Sequence, residues 1–214
     1  MRNLFLILSI SLFLTSCGTS KKTVTNMDAS IFSKEEAKLI MSGKANEVMR
    51  VFLITNPKDS IVLRAKSTDF VVNTKDKILK RFTERLLTTV KDSATRGVGI
   101  AAPQVGILKR IIWVQRLDKE NEPFEVYYNP YIKQYTEMKQ DVLEGCLSIP
   151  NTRGMTRDRA YAVFLEYDDR QGNHKCEMVE AFTAAIFQHE IDHLEGIMFT
   201  DHLEQEEKGI NHGL

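Results

Sequence analysis

Gln188-His189-Glu190-Ile191-Asp192-His193 is the stretch around which the rest of this chain has to be arranged. Read as helix, it places His189 and His193 about 40° apart and one turn along the axis. Both imidazoles then reach one metal ion, with Glu190 on the side where a water would sit. This is the H-E-x-x-H pattern of helical metal hydrolases, in which the glutamate serves as general base. The helix is expected over Phe182 to Leu194, with Gly196 as its stop, and its face carries Phe182, Ala185, Ile186, His189 and His193. The alternative is a pair of packed core histidines.

Two imidazoles do not fill a catalytic metal shell. The nearest upstream residue with soft-ligand chemistry in a distinctive setting is Cys146, within Glu144-Gly145-Cys146-Leu147-Ser148. A thiolate and two imidazoles make three protein ligands and leave one position open, which is a catalytic arrangement. A disulfide between Cys146 and Cys176 is the competing reading, since oxidising compartments favour it. Otherwise Cys176, in an alternating strand, is a small buried residue, and Asp192 forms a supporting ion pair rather than a metal bond.

Outward from the motif, the chain reads as one cored domain with an extra arm. Ser33-Lys34-Glu35-Glu36 has capping-box spacing and starts a short helix. Val48 to Thr55 and Ile61 to Leu63 read as short extended pieces separated by Asn56-Pro57-Lys58-Asp59. From Lys75 to Lys91, Ile78, Phe82, Leu86 and Val90 recur every four residues, an amphipathic helix facing the core. Arg110 to Gln115, Phe124 to Tyr128, Ala160 to Tyr167 and Lys175 to Val179 read as strands, the last two joined by a hairpin loop. Strands that pair locally with few intervening helices predict an α+β fold. His174, His202 and His212 read as surface residues, and Glu204 to Lys208 as a solvated tail.

Three motifs stand in order: Gly97-Val98-Gly99-Ile100-Ala101-Ala102-Pro103-Gln104, Glu144-Gly145-Cys146-Leu147-Ser148 and His189-Glu190-Ile191-Asp192-His193. On these the chain resembles the peptide deformylases, over about Val51 to Leu203. The resemblance implies antiparallel sheets packed around a central helix that carries H-E-x-x-H. It implies that Cys146, His189 and His193 bind one divalent metal ion, Fe2+ as the family commonly uses, with Zn2+, Ni2+ or Co2+ as further candidates. Glu190 would move the proton from the attacking water to the departing amine. Gln104 and the Leu147 backbone N–H would donate to the formyl oxygen. Gly99 and Arg153 would contact the substrate backbone, while Val98 and Glu144 border the pocket for its first side chain. The implied reaction removes the N-formyl group from N-formylmethionyl peptides. The alternatives are an extracytoplasmic metallopeptidase or amidase on another N-acyl peptide, and a non-catalytic peptide-binding lipoprotein.

The first segment sets the address. Met1-Arg2-Asn3 is followed by an apolar run from Leu4 to Phe13, too short to span a membrane stably, and then by Leu14-Thr15-Ser16-Cys17-Gly18. This resembles a bacterial lipoprotein signal over residues 1–16, with Cys17 lipidated. Residues 17–46 then form a tether and helical arm, and residues 47–214 the catalytic domain. The expected location is the cell envelope, facing the periplasm or exterior. With 29 Lys plus Arg against 29 Asp plus Glu, no general pull toward nucleic acid is expected. A monomer suffices for this reading, though the sequence leaves the oligomeric state open.

Overall fold

The computed structural model describes residues 31–92 and 97–209; the expected signal segment, Cys17 and His212 lie outside them. The short helix α1 (Lys34–Met41) starts at the expected capping box, Ser33 accepting from the Glu36 backbone and Glu36 answering the Ser33 N–H. Its Ile40 is fully buried, and Phe32 meets Phe82 edge-on at 5.7 Å between ring centroids. The arm therefore shares the domain's core. Buried Arg85 fastens it by donating to the Leu39, Ile40, Glu47 and Val48 carbonyls.

One expected extended piece is a helix. Asn56 accepts from the Lys58 and Asp59 backbone N–H groups and Pro57 supplies a preset φ, so α2 runs Pro57–Leu63. The residues read as a loop separator are a helix start. Val48 to Thr55 has no regular strand, but it lies along the motifs: Phe52 N–H donates to the Gln104 carbonyl and Ile54 N–H to that of Ser148. The long helix α3 (Lys77–Val90) is capped by Asp76. Its stripe of Leu79, Phe82, Leu86 and Val90 is buried against Ile100, Ile111 and Val126. Burying each such side chain is worth roughly 1.5–3 kcal/mol. Trp113 closes the contact by donating from Nε1 to the Thr83 carbonyl at 3.0 Å.

Among the described residues the strands are β1 (Gly99–Ala101), β2 (Ile111–Gln115), β3 (Phe124–Tyr135), β4 (Lys139–Cys146), β5 (Ile149–Ala160), β6 (Ala162–Asp168) and β7 (His174–Glu180). They form one antiparallel sheet in the order β1-β2-β3-β6-β7 and a β4-β5 ribbon. The expected strand from Ala160 to Tyr167 is divided: Ala160 ends β5, and β6 starts at Ala162. The α+β class and the antiparallel pairing are as expected. Helix α4 (Ala181–Glu195) sits against the sheet, its Ala184, Phe187, Ile191 and Leu194 packed on Ile112, Val114, Val163 and Leu165.

The charged run near the C-terminus is not a free solvated tail. It belongs to helix α5 (Phe199–Glu207), which docks on β5 with Phe199 buried and Glu206 accepting from the Arg157 backbone at 2.8 Å. No helix among the described residues is long and apolar enough to cross a membrane.

Candidate metal centre

The site forms where β1, the β4-β5 ribbon and α4 meet, along a cleft of about 810 Å³. The expected face of α4 lines it with Phe182, Ala185, Ile186 and His189, and Glu190 joins them. Cys146 ends β4, and a turn returns the chain into β5. That turn brings Cys146 Sγ to 3.2 Å from His193 Nε2. Ligand atoms of Cys146, His189 and His193 all lie within 4.8 Å of one another. Ligands around a tetrahedral ion with bonds of roughly 2.0–2.3 Å are separated by about 3.5 Å, so the cluster has the right size.

Protonation and hydrogen bonding fit a cation as well. His189 Nδ1 lies 2.6 Å from Glu144 Oε2, which leaves its Nε2 for a metal. Burial alone would raise both Cys146 and Glu144. The neighbouring imidazoles overcome this at Cys146 and hold it well below the usual thiol range. At Glu144, His189 and Arg159 overcome it in the same way. Burial would lower His189, but its hydrogen bonds to Cys146 and Glu144 prevail and raise it. Donors surround the sulfur: Ser148 N–H at 3.4 Å and Gln104 Nε2 at 3.6 Å. A thiolate between two imidazoles with these donors is a ligand set for a borderline-soft divalent ion. No disulfide joins Cys146 to Cys176, which is half-buried in β7 opposite Glu166.

Glu190 is only 4% exposed, and its Oε2 has no hydrogen-bond partner. Burial raises its carboxyl to about 7, against the pull of His189 and His193. A buried carboxyl poised near neutrality beside a metal shell is suited to taking and returning a proton. Gly99 makes the space for it, since a Cβ there would overlap Glu190 Oε1.

Gln104 is pinned by its own carbonyl, Oε1 accepting from Ala101 N–H at 2.8 Å. Its Nε2 therefore points at Ser148 Oγ and Cys146 Sγ, at the metal end of the cleft. Val98, Gly99, Leu147 and exposed Arg153 all line the same cleft. Glu144 borders the cleft as expected, and its oxygens are also engaged by Arg159 (2.7 and 3.1 Å), Thr156 (2.5 Å) and His189.

Three contributors escaped the sequence reading. Ser148, fully buried, bonds to both Gln104 and Cys146, and its only signal was its place inside the quoted motif. Arg159 is 3% exposed, and nothing local marked it. His202 was expected at the surface, yet its ring is 17% exposed and sits 2.9 Å from Asp192 and 3.7 Å from Asp158. His174, also expected at the surface, is half-buried at the start of β7 and pairs with Glu166 at 2.9 Å.

A family model described as polypeptide deformylase matches residues 48–209. The chain is 40% identical over 153 residues to the peptide deformylase of Desulforudis audaxviator, covering 72% of this chain and 94% of the relative. It is 37% identical over 140 residues to that of Finegoldia magna, covering 65% of this chain and 82% of the relative. Among solved structures it is similar to a Met-Ala-Ser-bound class I type b peptide deformylase from Acinetobacter baumannii. There the TM-score is 0.64 at 31% identity, over 73% of this chain and 99% of that one. The peptide deformylase of Thermotoga maritima superposes with a TM-score of 0.63 at 29% identity, over 72% of this chain and 97% of that one.

Proposed function

The chain belongs to the polypeptide deformylase family, and on that premise we propose how its own residues divide the work of removing the N-formyl group from peptides. The enzyme is a metal-dependent hydrolase. Cys146, His189 and His193 would hold the ion. When bound, it supplies Lewis acidity toward water and carbonyl oxygen, which a formamide needs because neutral water attacks it too slowly. Glu190 takes the proton of the attacking water and hands it to the departing amine, so the amine leaves neutral. Gln104 Nε2 and the Leu147 N–H donate to the formyl oxygen as it gains charge. Arg153 and Gly99 hold the peptide along the cleft, and Val98 borders its first side chain. The observation that carries this reading is the partnerless Glu190 oxygen, buried next to the three-ligand cluster.

Loading the protein with iron, nickel, cobalt or zinc and supplying formyl-Met-Ala-Ser tests it. Formate and free peptide are expected in equal amounts, and Glu190→Ala should remove about 10²–10⁴ of the rate. Peptide fragments without formate would favour a peptidase. Elemental analysis of anaerobically purified protein decides between Fe2+ and Zn2+.

We also propose that the enzyme works in the cell envelope. The support is the apolar run from Leu4 to Phe13 followed by Leu14-Thr15-Ser16-Cys17-Gly18, the arrangement of a lipidated N-terminus. Lipidation at Cys17 would tether the domain to a membrane without spanning it. In fractionated cells the wild-type chain should sediment with membranes and Cys17→Ser should not; equal distribution of the two overturns the anchor.

A further inference from the structure

Behind the metal cluster lies a second set of charged groups drawn from four elements, β4, β5, α4 and α5. Arg159, on β5, spreads its guanidinium between two carboxylates. Its Nε and Nη2 donate to Glu144 at 2.7 and 3.1 Å, and its Nη1 to Asp192 on α4 at 2.6 Å. His202, on α5, sits beyond Asp192, with Nε2 2.9 Å from the same Oδ2 that Arg159 holds. Its Nδ1 faces Asp158 of β5 at 3.7 Å. The line of contacts thus runs from His202 through Asp192, Arg159 and Glu144 to His189 Nδ1.

Charge balance gives His202 its part. Without His202, Asp192 would have only the Arg159 guanidinium, which Glu144 also holds, in a largely buried place where an uncompensated carboxylate is costly. A protonated His202 neutralises Asp192 from the far side and leaves Arg159 to grip Glu144 with two donors. Burial would lower His202, but Asp158 and Asp192 raise it to about 9, against Arg159. Helix α5 is seated closely enough to keep the ring there. Gly154 of β5 has no side chain where Leu203 packs; a Cβ would lie 3.3 Å from Leu203 Cγ and overlap its Cδ1. The Arg64–Asp201 ion pair holds the start of the helix.

We propose that His202 is a positioning residue for the metal centre, clamping Asp192 and Asp158 so that Arg159 holds Glu144, and Glu144 the His189 ring. The inference rests on the metal-site reading above. Groups bonded directly to a metal ligand, as Glu144 is to His189, typically change metal affinity by about 10–100-fold when removed, and His202 acts through that group.

The test follows release of zinc from the loaded full-length protein to an excess of chelator. His202→Leu should release zinc up to about 10-fold faster than wild type, the low end of the range for direct partners of a ligand. His202→Gln, which keeps a donor toward Asp192 but not the positive charge, should restore the rate in part. Release from folded His202→Leu at the wild-type rate overturns the proposal. So does equal acceleration in both variants with equally lowered melting temperatures, because that reports only a loosened helix. If His202→Leu does not fold, Asp158→Asn removes the outer half of the clamp from a half-exposed position. It should speed release by a smaller factor, and an unchanged rate overturns the proposal. Failure of the wild-type protein to take up zinc or iron would instead sink the metal-site reading itself.

Discussion

Gly99 and Glu190 share a space that only a hydrogen atom can fill: a Cβ on Gly99 would lie 2.8 Å from Glu190 Cδ and overlap Oε1. The glycine on β1 therefore sets where the Glu190 carboxylate on α4 stands. Gly99→Ala should displace the carboxylate and lower kcat/KM on the order of 10²-fold, with metal content unchanged. Steady-state kinetics with elemental analysis checks this; wild-type kcat/KM would show that the two elements part without cost.

Gln104 offers a sharper substitution than alanine. Gln104→Glu keeps the oxygen that accepts from Ala101 N–H, so the local turn survives, but it replaces the Nε2 donor with a second carboxylate oxygen. Loss of one oxyanion donor costs about 10²–10³ in rate. The drop should fall on kcat rather than KM, with the melting temperature close to wild type. A variant that turned over normally would remove Gln104 from the reaction.

Metal uptake at pH 7 should release protons. His189, held well above its ordinary value, is protonated without metal and must lose that proton to ligate. Glu190, at about 7, is half protonated, and a cation beside it favours the carboxylate, which adds to the release. The sign follows: apparent affinity rises as pH rises through neutrality. Titration calorimetry in buffers of different ionisation enthalpy measures the protons, and identical heats would contradict the expectation.

The N-terminal arm is part of the fold's energetics. Ile40 is fully buried against the cluster that contains Phe82 and Leu86, so Ile40→Ala should cost about 2–5 kcal/mol. Denaturant unfolding reads the cost directly. A loss under about 1 kcal/mol would mean that the arm packs only loosely.

Local rules explain what could be read in advance. His189 and His193 lie one turn apart because helix geometry alone puts them there, and the stripe of α3 follows from the same period. Reading failed where a local signal had two meanings. Asn56-Pro57 marks a turn or a helix start, and the side-chain acceptance by Asn56 that decides for α2 depends on which way the chain continues.

It failed more completely where the partner is distant. Arg159 and His202 look like surface charges in sequence; Glu144, Asp158 and Asp192 reach them only when β4, β5, α4 and α5 are packed together. The Glu144 motif shows its carboxylate but not Arg159, which meets it across the ribbon.

The order of the three motifs, the α+β class and the three candidate metal ligands were legible in the sequence, because motif spacing and side-chain chemistry can be read without the fold. Which oxygen of Gln104 is pinned, which nitrogen of His189 is left for the metal, and how far burial raises Glu190 were decided by the tertiary structure. Each depends on atoms brought close from far along the chain, and hydrogen bonding and desolvation act only at such short range.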